Sequence, residues 1–69
     1  MSSFKLEFEC DNAAFSWEGR FDESEVAGII QSVANRVRAG ITEGLVHDSN
    51  GNKVGSWGLD IDEEEENAD

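Results

Sequence analysis

Residues 4–10 alternate. Phe4, Leu6, Phe8 and Cys10 point one way and Lys5, Glu7 and Glu9 the other, which is the period-two pattern of a half-buried strand. Asp11-Asn12 suits a tight turn. Ala13, Phe15 and Trp17 then alternate again. A two-residue turn would pair Cys10 with Ala13, Phe8 with Phe15 and Leu6 with Trp17, all on one face. The other reading of 13–17 is a loop that only tucks Phe15 and Trp17 inward.

The period changes after Asp22-Glu23-Ser24-Glu25, which has the form of a capping box with Asp22 as N-cap. Val26, Ile29, Ile30, Val33 and Val37 fall at helical spacing and define one apolar face. Acids open this segment, arginines close it and Gly40 follows, so the pattern predicts a helix over 23–39. Residues 41–61 predict a hairpin about Asp48-Ser49-Asn50-Gly51. An Asn50-Gly51 type I′ turn pairs Asp48 with Lys53. A type I turn with Gly51 as a left-handed bulge pairs Val46 with Val54. The second register puts Ile41 and Leu45 on the face of Trp57, Leu59 and Ile61, and burial favours it. Val46 and Val54 then form a small apolar, glycine-lined strip on the outer face, a candidate self-association surface. The order is β(β)αββ: an α+β domain over 1–61, with an antiparallel sheet of three to four strands and one helix packed on one face.

Charge changes the picture at one end. The chain of 69 residues has 16 acids and 5 bases, net −11; residues 60–69 hold seven of those acids and no base. Residues 62–69 are expected to be a disordered acidic tail. This balance argues against nucleic acid and anionic membranes as partners. The carboxylate run reads either as a solvated, solubilising tail or as a lure for a protein with a basic surface, for which Asp60, Asp62, Glu63, Glu64, Glu65 and Glu66 are the candidate binding residues. The apolar runs are too short to span a bilayer, and the N-terminus has no signal-peptide pattern, so a soluble intracellular protein is expected.

The remaining chemistry is sparse. One cysteine allows no internal disulfide, and one histidine with one cysteine makes no zinc set. Asp48-x-Asn50-x-Asn52 has the opening spacing of an EF-hand loop. Its sixth position is Lys53 rather than glycine, and its twelfth is Leu59 rather than glutamate. Cys10 reads as an inert inward thiol and His47 as a strand histidine. Trp17 and Trp57 read as core. No nucleophile–base pair is recognisable, so no catalytic, cofactor or metal residue is assigned and the chain is not expected to be an enzyme.

Three segments occur together in a recognisable order: Asp11-Asn12-Ala13-Ala14-Phe15, then a helix ending Ala34-Asn35-Arg36-Val37-Arg38-Ala39-Gly40, then Asp48-Ser49-Asn50-Gly51-Asn52-Lys53-Val54-Gly55-Ser56. Over residues 4–57 the chain resembles a family of small phage- and prophage-encoded accessory proteins. That resemblance implies expression in the cytoplasm of a bacterial host; it brings no site residue with it. Two functions are expected from different classes. The first is a non-enzymatic phage accessory protein that binds, and by binding inhibits, a host protein with a basic, nucleic-acid-binding surface, such as a defence or transcription factor. The second is a structural or assembly protein acting as a homodimer or larger homo-oligomer.

Overall fold

A computed structural model describes residues 1–62. Strand β1 (Ser3–Phe8) is followed by a single 3-10 turn (Ala13–Phe15) and a small hairpin of β2 (Ser16–Trp17) and β3 (Arg20–Phe21). Helix α1 (Glu23–Arg38), β4 (Glu43–His47) and β5 (Lys53–Asp60) follow. The main sheet is antiparallel and three-stranded in the order β1-β5-β4, with a separate two-stranded β2-β3 ladder. The α+β class and its single helix are as the sequence pattern implied.

The partner of β1 is not. Its residues pair with β5, Phe4 opposite Leu59, Leu6 opposite Trp57 and Phe8 opposite Gly55. The expected pairs Cys10–Ala13, Phe8–Phe15 and Leu6–Trp17 do not form. Asn12 accepts from the Ala14 N–H at 3.2 Å and caps a 3-10 turn instead of starting a hairpin. That turn drives Phe15 into the core at 1% exposure, beside Phe8 at a ring distance of 6.3 Å. Trp17 swings out into the small hairpin and is 67% exposed. Glu18 (φ 52°) and Gly19 (φ 78°) make the left-handed turn between β2 and β3.

Helix α1 follows from its ends. Asp22 accepts from Ser24 N at 3.1 Å and from Ser24 Oγ at 2.7 Å. Glu25 does not return the cap; its Oε2 accepts from the Ser49 N–H at 2.7 Å and ties the helix to the β4–β5 turn. At the other end Gly40, at φ 94°, lets Gly40 N bond Val37 O and Ile41 N bond Arg36 O, a Schellman termination. Ile29 and Val33 are buried and Val26 and Val37 half-buried, but Ile30 is 49% exposed and lies at the edge of the helical stripe.

The β4–β5 turn is the bulged one. Gly51, at φ 86°, donates to Asp48 O at 3.0 Å, and Asp48 N donates to Asn52 O at 3.0 Å. A second irregularity then cancels the expected register. His47 faces Lys53 but Val46 faces Gly55, leaving Val54 as an extra residue. The shift reverses the faces of β4. Leu45 lies opposite Ser56 and is exposed, whereas Val46 is buried at 3% and joins Phe15, Ile29, Val33 and Trp57 in the core. Val54 is half-buried against that core. The strip expected at Val46 and Val54 is therefore not a surface. Ile41 and Ile61 fall outside the strands and are exposed.

Two glycines make this packing possible. A Cβ on Gly55 would lie 2.0 Å from the Glu7 carbonyl oxygen and 2.6 Å from Phe8 Cα; one on Gly44 would lie 2.8 Å from the Trp57 indole nitrogen. Gly55→Ala should push β1 off β5 and cost about 1–3 kcal/mol. Gly28→Ala, in the helix with nothing within 4 Å of the new methyl, should stabilise by about 0.8–1 kcal/mol. Urea midpoints of the two variants should move in opposite directions. Val33→Asp should abolish cooperative unfolding, because it forces a charge between helix and sheet. Ile30→Asp should retain the native circular dichroism spectrum, because half of that side chain already meets water.

Candidate functional site

The solvent face of the main sheet is a shallow trough. Its floor is the middle strand, where Gly58 and Ser56 have little or no side chain. The sheet register sets Lys5, Gly58 and Glu43 in one row and Glu7, Ser56 and Leu45 in the next. One end, of about 510 Å³, is lined by Ser3, Lys5, Thr42, Glu43, Gly58 and Asp60. The other is lined by Glu9, Asp11, Asn12, Lys53 and Ser56. Along the rims Glu7, Glu9, Asp11, Glu43 and Asp60 stand against Lys5 and Lys53, so the face is net acidic and its carboxylates are exposed. The trough suits long cationic side chains, which can lie over the glycine while their charged ends reach the rim.

The sequence-derived candidates divide around it. Asp60 closes β5 opposite Ser3 on this face. Asp62 is half-buried, with its N–H on Ser2 Oγ at 3.0 Å and its carboxylate paired to the Met1 ammonium group. Glu63, Glu64, Glu65 and Glu66, with the rest of the expected tail, lie outside the described residues. Glu43 was not among the candidates. It reaches the rim through the Val54 bulge, which sets it opposite Gly58, and the bulge has no signature in the residue pattern.

A second cluster lies at the end of the sheet and joins two segments that are far apart in sequence. Asp48 is 6% exposed. Its Oδ2 accepts from Asn12 Nδ2 at 2.7 Å and Asn52 Nδ2 at 3.3 Å, and its Oδ1 accepts from the N–H groups of Asn50 and Asn52, each at 2.9 Å. Burial works to raise the pKa of this carboxyl. The hydrogen bonds from the Asn52 backbone, the Asn12 and Asn52 side chains and the Asn50 backbone outweigh it, and Asp48 titrates below the usual aspartate range. The carboxylate is ringed by donors rather than by other oxygen ligands, so the EF-hand-like spacing serves a turn and not a calcium loop. Among the described residues no group of three His, Cys, Asp or Glu side chains is placed to hold a metal ion. His47 is exposed on β4, and Cys10 is half-buried with its thiol 4.0 Å from the Phe8 carbonyl oxygen.

Comparison with protein-family models, with curated proteins and with solved structures finds no match to this chain. Among the described residues no helix is long and apolar enough to cross a membrane.

Asp48 makes stability depend on acid in a defined direction. A carboxyl with a depressed folded-state pKa contributes its full stability above the unfolded value and loses it as pH falls through the folded value. Urea midpoints measured from pH 7 down to pH 2 should fall for the native chain once aspartates protonate. Asp48→Asn should lower the midpoint at pH 7 and flatten that fall. Parallel curves for the two proteins would assign the acid sensitivity to other carboxyls.

Proposed function

We propose that this chain is a non-enzymatic phage accessory protein that captures a host protein through a basic, nucleic-acid-binding surface, and inhibits it by occupying that surface in the bacterial cytoplasm. The observation that carries the reading is the acidic trough on the solvent face of the sheet, in a chain of net charge −11. Such a face repels polyphosphate and accelerates encounter with a cationic protein. Two of the polar clusters among the described residues have structural work: Asp22 with Ser24 caps a helix, and Asp48 anchors a turn. The family resemblance in the three motifs supports the phage setting.

Capture of host protein from a bacterial lysate, at low and at near-physiological ionic strength, tests it. A partner should be retained in low salt and weakened as salt screens exposed charge. The double variant Glu43→Gln, Asp60→Asn should lose the same partner while keeping its fold. Capture indifferent to salt and to these substitutions would refute the electrostatic reading, as would tight binding of DNA or RNA by the purified chain.

A further inference from the structure

The inner side of β1 is unfinished. Phe4 is 48% exposed and Leu6 and Phe8 only half-buried, in contrast to Val46 and Trp57 on the strands beneath the helix. Beside them runs an apolar groove of about 390 Å³, lined by Phe4, Leu6, Ile30, Ala34, Val37 and Leu59. Among the described residues the outer edge of β1 is also unpaired in the sheet, where the order is β1-β5-β4. The Glu9 N–H donates to Val54 O at 3.0 Å, which sets the phase of the β1–β5 ladder. Ser3, Lys5 and Glu7 therefore turn their backbone groups toward β5, and Phe4, Leu6 and Phe8 turn theirs outward. On that edge the Phe8 carbonyl has the Cys10 thiol at 4.0 Å. A six-residue edge without proline or bulge is a template for another strand.

We infer that the strand is β1 of a second copy, giving a two-fold dimer with one continuous six-stranded sheet. The sequence of β1 is complementary to itself in one register. With Leu6 on the two-fold axis, Leu6 meets Leu6 and Phe4 meets Phe8 of the second copy on the inner face. The outward backbone groups of residues 4, 6 and 8 then face their counterparts in hydrogen-bonding phase. On the solvent face Lys5 meets Glu7 of the second copy, twice by symmetry. A shift of two residues either way keeps the hydrogen-bonding phase but sets Lys5 against Lys5 or Glu7 against Glu7. The axis stands perpendicular to the sheet, so both helices lie on the same side and the two apolar grooves meet over the new central strands. The free edge of β4 is a poorer template: the groove beside it is lined by Ser24, Ser32, Arg36 and His47, whose polar groups an added strand would cover.

This assignment is independent of the proposed host partner, and its test uses purified protein alone. Sedimentation equilibrium at near-physiological salt, from micromolar to several hundred micromolar, should show a monomer–dimer equilibrium. Lys5→Glu should weaken dimerisation on the order of tenfold, because two attractive cross-strand pairs become repulsive. Glu7→Lys should weaken it similarly. That variant reduces the net negative charge from −11 to −9, so an association opposed only by overall repulsion would tighten instead. The exchange Lys5→Glu with Glu7→Lys restores both pairs at unchanged net charge and should restore the native constant. All these side chains are exposed, so circular dichroism should stay native throughout. A monomer across the whole range would overturn the proposal. So would a dimer that ignores Lys5→Glu, tightens with Glu7→Lys or is not rescued by the exchange.

Discussion

Trp57 can be buried only because its neighbours give way. It sits on the middle strand, 4% exposed, with Leu6 opposite on β1 and Gly44 opposite on β4. Any side chain at position 44 would strike the indole, and any at position 55 would strike the backbone of β1. The ring makes a tilted contact with Phe4 at 6.0 Å, and its N–H has no hydrogen-bond partner among the described residues. An unpaired buried donor costs about 1–3 kcal/mol, against roughly 1.5–3 kcal/mol from burying a large apolar side chain. The site is therefore held by close packing rather than by polar contacts. The last strand of the described residues is the one that joins the other two, so the sheet cannot form before residues 53–60 return to residues 3–8.

The Asp48 cluster supplies what so small a core lacks. Asn12 connects the 3-10 turn to the β4–β5 turn, and Glu25 connects the helix to the neighbouring residue, Ser49. Three segments separated by many residues are thus tied at one end of the sheet by one buried carboxylate and one exposed-end glutamate. Amide donors hold the buried carboxylate, so none of the chain's 5 bases is drawn into the interior. In a chain of net charge −11 this keeps lysine and arginine at the surface, where Lys5 and Lys53 interrupt the acidic rims of the trough.

What was legible in the sequence was local. Asp22 and Gly40 marked the helix ends, and Ser49-Asn50-Gly51 marked the bulged turn, because each signal is carried by residues in contact with their own neighbours in the chain. What was not legible was non-local. Alternation in residues 4–10 announced a strand but not its partner, and a nearby alternating segment at 13–17 was a false one. The Val54 bulge had no residue signature, yet it exchanged the faces of Leu45 and Val46 and so removed the expected strip and created the rim position of Glu43. The glycine-lined strip did not mark the close backbone approach: a Cβ at Gly58 would meet nothing within 4 Å and one at Gly44 would meet the Trp57 indole, whereas the approaching backbone is that of β1 at Gly55. Ile30 had helical spacing with the core residues, but a stripe of five positions is wider than the contact the sheet offers.

That last mismatch has a geometric origin. A helix with its side chains is about 10–12 Å across, and strands lie about 4.8 Å apart, so one helix covers little more than two strands. In this fold it covers β4 and β5, where Val46 and Trp57 are buried, and leaves β1 with Phe4 half in water. A longer helix would not cure this, since the shortfall is in width. A second helix, or a neighbouring sheet whose own helix stands on the far side, would. Pairing β1 with its own copy achieves the latter: the uncovered strands become the centre of the sheet and are walled by a helix on each side. The same pairing consumes the free edge that a hydrophobic strand would otherwise present to any unfolded chain. Lys5, which in one copy merely interrupts the acidic face, and Glu7, which belongs to it, become the pair that selects the register.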